Sequence, residues 1–384
     1  MKVPLVDLTR TYRQIEGEVL AEVEELLRSQ QMTLGPAVHD FEQGLAALCG
    51  SMFAVGCASG TDALYLALLA VGVAPGDEVV TTPFTFIATA ASISRVGARP
   101  VFVDIDPRTF NIDPTRIDAA LTDRTKAILP VHLFGQSADM EAILEIARRR
   151  GLAVVEDAAQ AIGARYHHKA CGTMGAIGCL SFYPTKNLGA AGDGGACLTD
   201  DETLAEELRS LRVHGETPAK PYHHRRVGIA SRLDALQAVI LGVKMKYLRE
   251  WTEARRRQAD HYTDGFAATE EVKPPHVESF NEHVFHQYVI RVPHRDELRA
   301  YLEAEGVATR VFYPLPLHLQ ECFKSLGYRR GDFPQAERAC EEVLSLPIFP
   351  GLTREEQDHV IAGVRRFFAS RLSKASLGRA DPDD

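Results

Sequence analysis

Three short segments place chemically capable side chains where apolar runs end. Lys186 follows Ser181-Phe182-Tyr183-Pro184-Thr185 and precedes Gly189, Gly192, Gly194 and Gly195, so a strand breaks into a glycine-rich loop that carries one lysine. At the end of a rigid element and shielded from water, an amine can shed its proton and attack a carbonyl to form an imine. A solvated loop lysine is the ordinary alternative. Asp157 closes the apolar run Leu152-Ala153-Val154-Val155-Glu156. A carboxylate there can keep an aromatic ring nitrogen protonated and the ring electron-poor, although caps and turns also use aspartate. Ser59-Gly60-Thr61-Asp62 leads into the helical run Ala63-Leu64-Tyr65-Leu66-Ala67-Leu68-Leu69-Ala70. The first turn of such a helix offers unpaired N–H groups and the positive end of its dipole, which together bind phosphate; a plain capped helix begins the same way.

The combination is more telling than its parts. A phosphate cradle, then a strand-end acid, then a lysine after Ser-Phe-Tyr is what pyridoxal phosphate chemistry needs, and in this order it is the layout of fold-type-I pyridoxal phosphate enzymes. More narrowly, the chain resembles the nucleotide-sugar aminotransferases of the DegT/DnrJ/StrS family. The likeness runs through Leu34-Gly35-Pro36, Ala58-Ser59-Gly60-Thr61-Asp62, Pro83-Phe84-Thr85-Phe86, Pro130-Val131-His132-Leu133-Phe134-Gly135-Gln136 and Glu156-Asp157-Ala158-Ala159-Gln160. It continues through the lysine loop, Ser231-Arg232-Leu233-Asp234 and Leu346-Pro347-Ile348-Phe349-Pro350.

The resemblance implies a role for each matching residue. Lys186 is the lysine that forms the imine with the cofactor and carries the proton, and Asp157 is the partner of the pyridine nitrogen. Gln160 bonds the ring oxygen beside the imine, Phe86 stacks on the ring, and Gly60, Thr61 and Ser181 hold the phosphate. Tyr183, His214, Tyr313 and His318 fall on substrate-facing positions, though a lone histidine is as readily a structural side chain. Two positions depart from the pattern. Ala230 replaces an asparagine that reaches the phosphate in the neighbouring subunit, leaving Ser231 or Arg232 to compensate, and Phe312 stands where relatives often carry histidine.

Composition narrows the function classes. The chain has 384 residues, 45% hydrophobic and 25% charged, as expected of a globular enzyme. A net charge of −9 gives no electrostatic reason to bind nucleic acid. Seven cysteines lack any C-x-x-C pair, so neither a zinc site nor a disulfide framework is expected. The pairs His167-His168 and His223-His224 point to different sides of any regular element, and no metal is expected. The start lacks a signal-peptide layout and no apolar run reaches membrane-spanning length, which implies a cytoplasmic protein.

These residues need a scaffold. An outer helix is expected over 11–29, followed by short apolar strands at 78–82, 100–105, 127–131, 152–156, 179–182 and 195–199, with helices between. Strands alternating with helices predict an α/β fold with a mostly parallel sheet flanked by helices, its ligand beyond the carboxyl ends of the strands. A long helix over 233–266 links this large domain, 1–245, to a smaller C-terminal α+β domain, 246–384. The smaller domain has a strand at 284–290, helices at 296–305 and 354–368, and a mobile tail over 371–384.

The activity implied by the resemblance is a two-stage transamination. Glutamate gives its amine to pyridoxal phosphate, and a nucleotide-linked keto-hexose then accepts it, at C3 in preference to C4, in a homodimer whose site lies at the subunit interface. A sugar dehydratase would replace the lysine with histidine, and Lys186 argues against it. A regulator that binds cofactor or sugar nucleotide without turnover is the alternative from another class. A nicotinamide oxidoreductase is rejected, because Gly192-Asp193-Gly194-Gly195-Ala196-Cys197 lacks the last glycine of G-x-G-x-x-G.

Overall fold

The computed structural model describes residues 1–217 and 220–377. Seven short runs form one sheet: β1 Phe53–Cys57, β2 Glu78–Thr81, β3 Arg99–Phe102, β4 Thr125–Ile128, β5 Ala153–Asp157, β6 Ile177–Ser181 and β7 Gly195–Thr199. Their spatial order is β1-β7-β6-β5-β4-β2-β3. Neighbours from β6 through β3 are parallel, and β7 runs antiparallel to both β1 and β6. Successive residues of a strand face opposite sides. Val155 accordingly packs with Leu64, Leu68 and Val79, while Val154 packs with Ile128, Met140 and Ile143 on the other side. Both faces are buried, which is why the strands read as unbroken apolar runs rather than alternating ones.

A second core lies around the antiparallel pair Tyr288–Arg291 and Val343–Leu346, covered by the helices Arg295–Ala304 and Arg354–Leu377. The helix Ala235–Phe266 runs through both cores: Leu241 and Leu248 pack beside Phe41 and Phe182, whereas Tyr262 and Phe266 pack beside Tyr288 and Leu298. A division at 245/246 therefore falls within one continuous helix. Val3 joins the second core and bridges Val307, so the first residues of the chain also lie there.

Three differences from the sequence reading concern segments it had named. The turn at 56–62 is preceded by an additional strand, β1. The strand expected over 284–290 is confined to Tyr288–Arg291, because the N–H groups of Val284 and Gln287 bond instead to Gly135 O at 3.0 Å and Phe134 O at 3.3 Å. The tail expected from 371 is helical through Leu377, where Arg371 bonds Glu297 and stacks over Phe367; residues 378–384 lie outside the described residues. No described helix is long and apolar enough to cross a membrane.

Candidate active site

The carboxyl ends of β1, β5 and β6 lie on one edge of the sheet and deliver the expected residues to it. After β1, Ser59 caps the helix Gly60–Ala70, its hydroxyl accepting from Asp62 N at 3.1 Å. Two glycines let this helix start come close to the neighbouring strands. A β-carbon on Gly60 would lie 2.5 Å from Ser181 Cβ, and one on Gly195 would lie 2.4 Å from Ser59 C. The helix N-terminus and the Ser181 hydroxyl thus form a tight concave cradle of the kind that receives an anion.

Asp157, the last residue of β5, is buried. Its carboxylate accepts from the Thr89 hydroxyl at 2.8 Å and from Ala159 N at 3.2 Å. Burial raises its pKa, against these bonds and the charge of Lys186. A buried carboxylate held above its usual range gains from a cation placed beside it, which is what a protonated ring nitrogen would be.

Lys186 leaves the loop after β6, with its backbone N–H bonded to Tyr183 O at 2.8 Å. Burial brings its ammonium down to about 8, against the pull of Asp157. The loop is braced from behind by the long helix, where Lys244 Nζ donates to Gly189 O at 2.6 Å and Gln237 Oε1 accepts from Ala191 N at 2.8 Å. A lysine near 8 is neutral often enough at physiological pH to act as nucleophile and proton carrier.

Gln160, Phe86 and Tyr313 come together. Gln160 Oε1 accepts from Phe134 N at 2.7 Å and Nε2 donates to the Tyr313 hydroxyl at 3.2 Å, while the Phe86 and Tyr313 rings lie 6.3 Å apart. Phe86 is 55% exposed, an unusual state for a phenylalanine and one that leaves a ring face available. Tyr183 is also exposed, three residues before Lys186. The other two substrate candidates stand apart. His318 is buried against Phe333 and bonds Glu337 at 3.0 Å, and His214 lies exposed in a turn with φ of 66°, its carbonyl bonded to His224 Nδ1. Of the residues flanking Ala230, Ser231 is committed within its own chain: it donates to Asp62 at 2.8 Å and accepts from Ala58 N at 3.1 Å. Arg232 has no hydrogen-bond or ion-pair partner among the described residues.

Several contributors were not singled out from the sequence. Thr89 holds Asp157. Glu156, one residue earlier and on the opposite face, accepts from His132 Nε2 at 2.8 Å, Gly172 N at 2.7 Å, and Met174 N and Gly175 N at 2.6 Å each. His132 Nδ1 accepts from Ala138 N, so Nε2 carries the proton given to Glu156. Although burial opposes it, this set of donors holds Glu156 below the usual carboxylate range. The backbone N–H of His132 meets Asp157 O at 3.0 Å, so the pair braces the same strand end. His286 and Asn187 lie beside Lys186. The only signal for any of these was inclusion in longer motifs.

An anion cradle, a buried acid and a depressed lysine on one edge of a mostly parallel sheet define a pyridoxal phosphate enzyme of fold type I, and the residues present fit that cofactor. Residues 13–365 match the model of the DegT/DnrJ/EryC1/StrS aminotransferase family, to which the chain belongs. It is 53% identical to a pleiotropic regulatory protein of Geobacillus stearothermophilus, over 96% of this chain and 99% of that one. It is 44% identical to the UDP-N-acetyl-3-dehydro-alpha-D-glucosamine 3-aminotransferase of Acidithiobacillus ferrooxidans, over 95% and 97%. The crystal structure of DesV from S. venezuelae in complex with a ketimine intermediate matches with a TM-score of 0.93 at 42% identity, covering 95% of this chain and 98% of that one. The protein is a sugar aminotransferase with pyridoxal phosphate as its cofactor.

Proposed function

We propose that this chain transfers the amino group of glutamate to a nucleotide-linked keto-hexose, at C3 in preference to C4, as a cytoplasmic homodimer. The observation that carries the reading is Lys186: a half-buried lysine whose ammonium is brought down to about 8 by desolvation, facing Asp157, on the edge of the sheet that holds the anion cradle. The C3 preference is supported by the named reaction of the 44% identical relative. Exposed Phe86, Ile87 and Tyr183, large apolar side chains beside the site, support a subunit partner there.

When bound, pyridoxal phosphate supplies the carbonyl that captures an amine and the electron-poor ring that takes up charge from an adjacent carbon. The protein supplies position and protons. Gly60, Thr61 and Ser181 would hold the phosphate, Asp157 the ring nitrogen, Gln160 the ring oxygen and Phe86 the ring face. Lys186 Nζ would take up and return the proton of the amine-bearing carbon in each half of the exchange. Thr89 and Ala159 N–H keep the Asp157 carboxylate aimed while this happens. Tyr183, His214, Tyr313 and His318 are offered as sugar or donor contacts; of these, Tyr313 is joined to Gln160, and His318 would need its pairing with Glu337 to open.

The test is turnover of UDP- and dTDP-linked 3-keto and 4-keto hexoses, with glutamate and with other amino acids as donors, and Lys186→Ala as the control. Product aminated at C3 from glutamate, lost in Lys186→Ala, supports the reading; exclusive amination at C4 corrects it. A second reading, a regulator that binds without turnover, is favoured by the name of the 53% identical relative. It stands if cofactor and sugar nucleotide bind and no keto sugar is ever aminated.

A further inference from the structure

The residue after Lys186 is tied at both atoms of its side-chain amide. Asn187 Nδ2 donates to Val284 O at 3.1 Å, and Asn187 Oδ1 lies 3.2 Å from His286 Nδ1, both side chains being buried. A carbonyl oxygen can only accept, so the amide nitrogen must face Val284 and the amide oxygen must face the imidazole. Nδ1 of His286 therefore carries a proton. Nε2 is then the lone-pair nitrogen, and it has no hydrogen-bond partner among the described residues.

The groups facing this imidazole are cationic. Burial, then the charges of Lys186 and Arg255, press its pKa well below the usual histidine value. The segment that carries it is tied to its neighbours through the backbone. Val284 N bonds Gly135 O, and Gly135, at φ of 107°, has no room for a side chain, since a β-carbon would lie 2.8 Å from Val284 Cγ2. Arg255 donates to Phe285 O at 3.3 Å and Ile348 O at 2.8 Å, and it has no carboxylate partner among the described residues.

We propose that His286, acting through Asn187, is a positioning residue for Lys186. With the lysine's own N–H bonded to Tyr183 O, the Asn187 amide fixes the other side of its α-carbon. Held by the Asn187 amide, the imidazole sets the direction in which the lysine side chain leaves the loop. His286 does not itself take the proton. This inference rests on the reading of Lys186 as the imine-forming residue.

The experiment uses the full chain. The visible band of the Lys186–cofactor imine is titrated with pH in the holoenzyme, and the rate at which apoprotein captures added pyridoxal phosphate is measured, for wild type, His286→Leu, His286→Asn and Asn187→Ala. His286→Leu and Asn187→Ala are expected to move the imine midpoint by about one pH unit and to slow capture roughly tenfold, the scale of one lost buried hydrogen bond. His286→Asn places an amide N–H where Nδ1–H stood and should restore both. Asn187→Ala keeps the proposal testable if His286→Leu does not fold. The inference is overturned if wild type forms the imine and the variants titrate and react as wild type does, even with lowered melting temperatures. It is equally overturned if His286→Asn behaves like His286→Leu. A wild type that forms no imine at all is a different result: it removes the Lys186 reading and this inference with it.

Discussion

Gly60 and Ser181 pack so closely that a β-carbon on the glycine would lie 2.5 Å from that of the serine. This contact joins the start of the cradle helix to the end of the strand that leads to the lysine. Gly60→Ala must push the two apart. Overpacking of this kind costs about 1–3 kcal/mol, and the displaced N–H groups should weaken pyridoxal phosphate binding at least roughly tenfold. Thermal melting and equilibrium dialysis of the variant would check both, and unchanged cofactor affinity would refute the role given to the cradle.

Asp157→Asn should act in opposite directions on the apoprotein and the holoenzyme. The folded carboxyl titrates above its unfolded value, so the native state binds more protons than the unfolded state in that interval, and stability falls as pH rises through it. Near neutrality the buried charge is a burden that asparagine removes, and the melting temperature of the apoprotein should rise. With cofactor bound, losing one member of a buried ion pair costs about 3–5 kcal/mol, so turnover should drop roughly a hundredfold or more. A variant with a lower apo melting temperature and full turnover would contradict both halves.

Lys186 carries the reverse sign. Its folded value, about 8, lies below the ordinary 10.5, so its contribution to stability improves as pH rises between the two and is least favourable near neutrality. Lys186→Met should therefore melt higher than wild type as apoprotein at pH 7, and the difference should shrink toward pH 10. In wild type, the rate of imine formation should climb with pH and level off above about 8.

Glu156→Gln is expected to be costly without touching any ligand. The carboxylate accepts from three backbone N–H groups and from His132, and an amide has only one oxygen to offer them. Leaving buried donors unpaired costs about 1–3 kcal/mol each. Because the folded pKa is depressed, wild type should lose this stabilisation as pH falls through that depressed value, whereas the variant should be flatter in acid. Chemical denaturation at two pH values would show it.

The sheet was legible because a parallel strand buried on both faces is a short unbroken apolar run, and such runs end where Asp157 and Ser181 stand. The chemistry was legible for the same reason, since charged or small polar residues at those ends are conspicuous. What escaped notice was polar matter held inside: Thr89, His132, Asn187 and His286 look like ordinary residues in a line of text. Thr89, Asn187 and His286 acquire partners only when segments 68 and 99 positions apart meet, and His132 meets Glu156 24 positions along the chain. β1 was missed because its role is to deliver the turn after it. The strand at 284–290 was read too long because its first residues satisfy their backbone groups on the 134–135 loop, a debt of tertiary structure that periodicity does not record.

The helix Ala235–Phe266 has Leu241 in one core and Tyr262 in the other, and no break between them. Unravelling either end removes a wall from its neighbour, which couples the stability of the two units. Heat should melt this chain in a single cooperative transition, and a fragment cut within the helix should be unable to hold either half folded.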